Sequence, residues 1–133
     1  MKIAILAAAL CVSTQLSATG LPSVPVQPSI HQPSVTPAFS FVRGHKQGKG
    51  YNIQFSMTSN AGIDHFEIEY TYEDATDPYS NWYVCGRLNN SNLNVNRFTD
   101  MGALPGTINY RVVAYMVSGG AVTSAPYSVD ITP

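Results

Sequence analysis

Hydrophobic and polar positions alternate along most of this chain, and the period is two. Tyr51, Ile53, Phe55 and Met57 are separated by Asn52, Gln54 and Ser56, and Phe66, Ile68, Tyr70 and Tyr72 by Glu67, Glu69 and Thr71. Successive side chains of a β-strand point to opposite faces, so each segment predicts a strand with one buried face. A shorter segment, Phe39 to Val42, precedes them, and Trp82-Tyr83-Val84-Cys85, Leu93 to Phe98, Tyr110 to Ala114 and Val122 to Ile131 give four more. The breaks carry turn chemistry. Arg43 to Gly50 is punctuated by glycine, Ser59-Asn60-Ala61-Gly62 and Asp77-Pro78 follow, Leu88 to Asn92 is polar, and Ser118-Gly119-Gly120 is a hairpin signal. About seven strands at even spacing predict an all-β, antiparallel β-sandwich.

Residues 1–18 break this alternation. Met1-Lys2 gives a positive start, Ile3 to Val12 is an unbroken apolar run, and Ser13 to Ala18 are small or polar apart from Leu16. That order matches a secretory signal peptide cleaved after Ala18, and the run is shorter than the ~20 apolar residues that span a bilayer. The competing readings are a retained anchor and lipidation at Cys11, the latter opposed by Leu10 where a small residue is required. Residues 19–37 carry Pro22, Pro25, Pro28, Pro33 and Pro37. Proline at this density favours an extended, semi-rigid arm, and no Pro-x-x-Pro within it has a basic flank. The folded domain is then 38–133.

Composition narrows the chemistry. After cleavage Cys85 stands alone, so no intramolecular disulfide can form and stability must come from packing. An exposed Cys85 would permit a covalent dimer. The formal net charge is −1 with 11% charged residues. Without a basic excess, nucleic acid and acidic membrane surfaces are not expected partners, and the mature chain is not expected to insert stably in a membrane.

The stretch Leu104-Pro105-Gly106-Thr107-Ile108-Asn109-Tyr110-Arg111-Val112-Val113-Ala114 resembles the leucine, the proline-glycine-threonine turn and the tyrosine-led strand of the fibronectin type III family. Gly119-Gly120 and Ser124-Ala125-Pro126 resemble its final hairpin and last strand, and the likeness runs over residues 34–133. Phe55 stands where the family has its buried tryptophan, and the proline sits one place early. The resemblance implies a seven-stranded immunoglobulin-like (fibronectin type III) sandwich. It also implies a tyrosine corner, with Leu104 and Tyr110 in structural roles and the Tyr110 phenol bonded to backbone near the turn.

No catalytic constellation is evident. There is no Gly-x-Ser-x-Gly, no glycine-rich phosphate loop, and His31, His45 and His65 lie apart from one another and from Cys85. No cofactor, metal or catalytic residue is therefore expected. Glu67, Glu69, Glu73, Asp74 and Asp77 form one acidic concentration. A glycosidase pair or a calcium site is weaker than cross-strand pairing of Glu67 and Glu69 with Arg111. In the family's topology the Arg43–Lys49 turn and the Asp74–Ser80 loop share one end, where opposite charges would contribute under ~1 kcal/mol per exposed pair.

The other end would gather Ser59 to Gly62, Leu88 to Asn92 and Val117 to Thr123, loops rich in Asn, Ser and Gly. Asn60, Asn90 and Asn92 are the expected polar contacts there, flanked by Tyr83, Val113 and Tyr115 pointing outward from one sheet. Asn89-Asn90-Ser91 also fits the glycosylation pattern. The reading is a secreted, periplasmic or extracellular binding or adhesion module without enzymatic activity, contacting a protein or polysaccharide through loops and the outer sheet face. The alternatives are a passive structural or spacer protein of the envelope, or a small hydrolase or metal-binding protein.

Overall fold

The computed structural model describes residues 36–133; the expected signal peptide and nearly all of the expected Pro-rich arm lie outside the described residues. Eight strands follow in order: β1 (Phe39–Gln47), β2 (Gly50–Met57), β3 (Ile63–Thr71), β4 (Tyr83–Asn89), β5 (Asn96–Asp100), β6 (Gly106–Met116), β7 (Ala121–Thr123) and β8 (Tyr127–Ile131). No helix occurs among the described residues. One sheet has the order β1-β2-β5. The other runs β4-β3-β6, and β6 pairs with both β7 and β8. All pairings are antiparallel.

The alternating segments bury the faces they predict. Tyr51, Ile53, Phe55 and Met57 of β2 meet Phe66 and Ile68 of β3 and Ile108, Tyr110, Val112 and Ala114 of β6 in one core. Aromatic contacts join the two sheets: Phe55 meets Phe66 edge-on at 4.9 Å, and Tyr51 stacks on Tyr110 at 5.5 Å. Such pairs add ~0.5–1.5 kcal/mol each beyond their buried area. Phe98 of β5 lies over Gly86 of β4, where a Cβ would come within 2.2 Å of the ring. Glycine there is a requirement of close approach rather than of backbone conformation.

Several boundaries differ from the sequence expectation. The Arg43–Gly50 segment is mostly strand: β1 pairs with β2 down to Gln47 opposite Gly50, leaving a two-residue turn with Gly48 at φ 60°. A glycine in the first position of such a turn matches the twist of the hairpin, so pairing continues to its tip. Leu88 and Asn89, expected in a loop, complete β4 opposite Phe66 and His65. The next strand starts late, at Asn96, and Leu93 is exposed. The last strand is two pieces, which raises the count to eight. Ser124-Ala125-Pro126 interrupts it where Pro126 has no N–H to pair, and Ser124 Oγ accepts the buried Val112 N–H at 3.0 Å instead.

The expected tyrosine corner takes another form. Tyr110 is fully buried, but its hydroxyl donates to Asp100 Oδ2 at 2.9 Å rather than to backbone beside the turn. Asp100 ends β5 in the facing sheet, and its Oδ1 accepts the Gly102 N–H at 2.8 Å. A bond to a carboxylate is roughly twice as strong as one to a neutral carbonyl, which accounts for the preference. Leu104 is 64% exposed rather than packed beside Tyr110, and its N–H donates to Tyr72 Oη at 2.8 Å.

Candidate functional site

The outer face of the five-stranded sheet is set by the register of β3 and β6. Glu69 stands opposite Arg111, Glu67 opposite Val113, and His65 opposite Tyr115. The expected cross-strand ion pair forms at the first position, where Arg111 Nε donates to Glu69 Oε2 at 2.5 Å. The guanidinium also lies 4.1 Å from the ring centroid of half-buried Trp82, just before β4. Arginine suits this double contact because its plane can stack while its edge hydrogen-bonds.

At the other end of the same face His65 stacks on Tyr115, with ring centroids 4.7 Å apart and planes 12° from parallel. His65 Nδ1 donates to Asp64 Oδ2 at 2.6 Å, fixing the ring. Burial, then the neighbouring Glu67 carboxylate, holds the Tyr115 phenol above its ordinary pKa. Between these two stacks Val113 is not exposed as expected but 5% accessible. It occupies the central strand, with Glu67 on one side and Thr123 on the other covering it.

Tyr83 does not share this face. In register with Tyr70, itself opposite Tyr110, it lies on the inner side of the sheet at the free edge, its ring 5.8 Å from that of Tyr70. The cause is a bulge. Ile68 pairs with Gly86 and the next residue, Glu69, with Val84, so Cys85 is inserted and every residue before it changes face. Tyr83 is 54% exposed there, and Val84 takes the outward position. Cys85 is half-buried, its thiol 3.4 Å from Ile68 O, and burial pushes its pKa up to about 12.

The asparagines expected at the polar loops hold those loops together. Asn90 Nδ2 donates to Asn60 O at 3.0 Å and to Ile63 O at 2.9 Å, while its Oδ1 accepts the Asn92 N–H at 3.1 Å. Asn60 Nδ2 donates to Leu93 O at 2.9 Å. Asn92 is exposed and sits at φ 56°, a left-handed conformation that asparagine tolerates. The amide donors of Asn60 and Asn90 are thus committed inside the fold.

A recess of about 410 Å³ adjoins the Trp82–Arg111 stack, walled by the loop after β3. That loop is fastened by its own acids. Glu73 accepts the Asn81 N–H at 2.9 Å and its side-chain amide at 3.2 Å, and Asp74 accepts the Thr76 N–H at 2.8 Å. These backbone bonds hold both carboxyls below their ordinary pKa. No ion pair joins this loop to Arg43, Lys46 or Lys49 among the described residues. Nor do three His, Cys, Asp or Glu side chains there converge as a metal site. Alternation puts Glu69 and Arg111 on the outward face and the strand register brings them together, but nothing in the sequence signals that Trp82 joins them.

No protein-family model and no curated protein sequence matches the chain. Solved structures similar to it in fold include three of pectate lyases. One is pectate lyase PelI from Erwinia chrysanthemi in complex with tetragalacturonic acid, at TM-score 0.54 and 11% identity, over 71% of this chain and 28% of that one. Two are crystal structures of pectate lyase Pel3 from Pectobacterium carotovorum, both at TM-score 0.51, with 17% and 18% identity over 66% and 69% of this chain. The chain spans 26% of each Pel3 chain.

Proposed function

We propose that this protein is a secreted, non-enzymatic binding module on an immunoglobulin-like β-sandwich of the fibronectin type III kind. It contacts a polysaccharide or a protein through the outer face of its five-stranded sheet. The strand order supports the sandwich: with β7 and β8 counted as one interrupted strand, β1-β2-β5 packs against β4-β3-β6-β7/β8. The signal-like residues 1–18 support export. The observation that carries the binding reading is the pair of ring contacts on one face, Arg111 over Trp82 and His65 stacked on Tyr115. Flat rings held by fixed polar partners present contact area with little entropy left to lose. The lyase solved with tetragalacturonic acid lends a polysaccharide setting, although the likeness spans 28% of that protein.

The test is retention of the mature protein on panels of immobilised polysaccharides and surface proteins. Trp82→Ala and Tyr115→Ala should each weaken binding, while Tyr83→Ala, on the opposite side of the sheet, should not. Undiminished binding in both of the first two variants would refute the outer face as the contact surface. Failure to bind any member of either panel would return the chain to a passive envelope spacer.

A further inference from the structure

We infer that the recess beside Trp82 and Arg111 is a subsite for one neutral sugar residue, which rests on the binding reading above and names its ligand class. It is an open, mainly polar recess of about 410 Å³ on the sheet surface. The charged groups lining it are Glu69, Asp77 and Arg111. Arg111 Nε is held by Glu69 Oε2, and Asp77 Oδ1 accepts the Tyr79 N–H at 2.9 Å. The remaining capacity is specific: the two terminal amino groups of Arg111, Glu69 Oε1 and Asp77 Oδ2 have no hydrogen-bond partner among the described residues.

The recess is thus lined by two carboxylate acceptors and one forked donor. A sugar hydroxyl both donates and accepts, so vicinal hydroxyls can give hydrogens to the carboxylates and receive them from the guanidinium. A uronate cannot. Its carboxylate would enter a recess with more carboxylates than cations, whose one guanidinium Glu69 already neutralises, and like charge disfavours it. The polymer class seen with the similar lyase is therefore not the class this recess suits.

The walls are set before a ligand arrives. Asp77 N–H donates to Asp74 O at 3.1 Å and Ser80 N–H to Asp77 O at 3.2 Å. Ser80 Oγ donates back to Asp74 O, which fixes the loop from inside. Preorganised walls lower the entropy lost on binding. Between the lining residues Pro78 and Ser80, Tyr79 stands 89% exposed. A tyrosine held out on a fastened loop offers a flat apolar surface for the carbon-bearing face of a pyranose.

Affinity electrophoresis of the mature protein through neutral polysaccharides (glucan, galactan, mannan, xylan) and through polygalacturonate tests this. Retardation by at least one neutral polymer is expected, with little change on adding salt. Arg111→Gln and Tyr79→Ala should each weaken it about ten-fold or more. Thermal melts exclude unfolding for the first, and the second removes only an exposed ring. Neutral-polymer binding that survives both changes but is lost in Tyr115→Ala overturns the subsite and leaves the outer face standing. Retardation by polygalacturonate alone overturns the neutral assignment. A module that binds only a protein overturns the inference but not the binding reading, and one that binds nothing overturns both.

Discussion

Replacing Tyr110 with Phe removes one oxygen from the centre of the core and leaves the ring stack with Tyr51 in place. The lost bond runs to Asp100 Oδ2 at 2.9 Å, and Asp100 is itself 8% exposed. Hydrogen bonds to charged partners contribute ~1.5–3 kcal/mol, and losing one leaves the partner desolvated. Asp100 keeps the Gly102 N–H on its other oxygen, so the low end applies, about 1.5–2 kcal/mol. For a domain of this size that is on the order of 10 °C in melting temperature. Urea unfolding followed by the fluorescence of Trp82, the one tryptophan in the chain, measures it. Combining Tyr110→Phe with Asp100→Ala in a double-mutant cycle isolates the pair, since alanine leaves no acceptor for the Tyr110 hydroxyl. There is a second, independent readout at alkaline pH. Burial first, then the bond to Asp100, holds the Tyr110 phenol far above its ordinary pKa. The unfolded chain releases that proton near pH ~10 and the fold resists doing so, so stability falls as pH rises past that value. Tyr110→Phe has no such proton to release, and its deficit against the parent protein should narrow above pH ~10. A loss below ~0.5 kcal/mol, or a coupling energy near zero, would refute the buried tyrosine–carboxylate bond.

Three further outcomes follow from single contacts. Gly86→Ala should destabilise by ~1–3 kcal/mol through overpacking against Phe98, in a chemical or thermal melt, although alanine is a better strand residue than glycine. Ser124→Ala should cost about 1–3 kcal/mol in the same assay, because the buried Val112 N–H loses its acceptor. Cys85, with its pKa at about 12, should react with an aromatic disulfide at pH 8 on the order of a thousand-fold more slowly than a free cysteine, and the protein should run as a monomer without reductant. Above the ordinary thiol pKa this group also withdraws stability, since the unfolded chain ionises it first.

The two candidate contacts on the sheet face differ in how they are held. Arg111 is fixed by an ion pair and a ring together, both partly buried. Tyr115 is fixed through His65, whose own anchor is the exposed Asp64 near the start of β3. The Trp82 end is therefore the more rigid of the two. It is also the end with the recess.

Sequence alone determined the class of the fold, because period-two burial is a local property. β2, β3 and the first half of β6 alternate apolar and polar side chains, and a strand is the conformation that turns such alternation into one dry face. It also placed Glu67, Glu69 and Arg111 on the outward face, and the register of β3 with β6 then chose Glu69 as the partner of Arg111. What it could not determine was anything that depends on counting residues across a bulge or on which sheet a side chain reaches. The extra residue at Cys85 moved Tyr83 to the inner side. Tyr110 took a carboxylate from the opposite sheet, ten residues earlier in the chain. Asn60 and Asn90 turned their donors inward on neighbouring loops. Trp82 reached Arg111 across the sheet. In each case the deciding energy is a long-range contact, formed only after the strands have paired, and no local pattern of the chain encodes it.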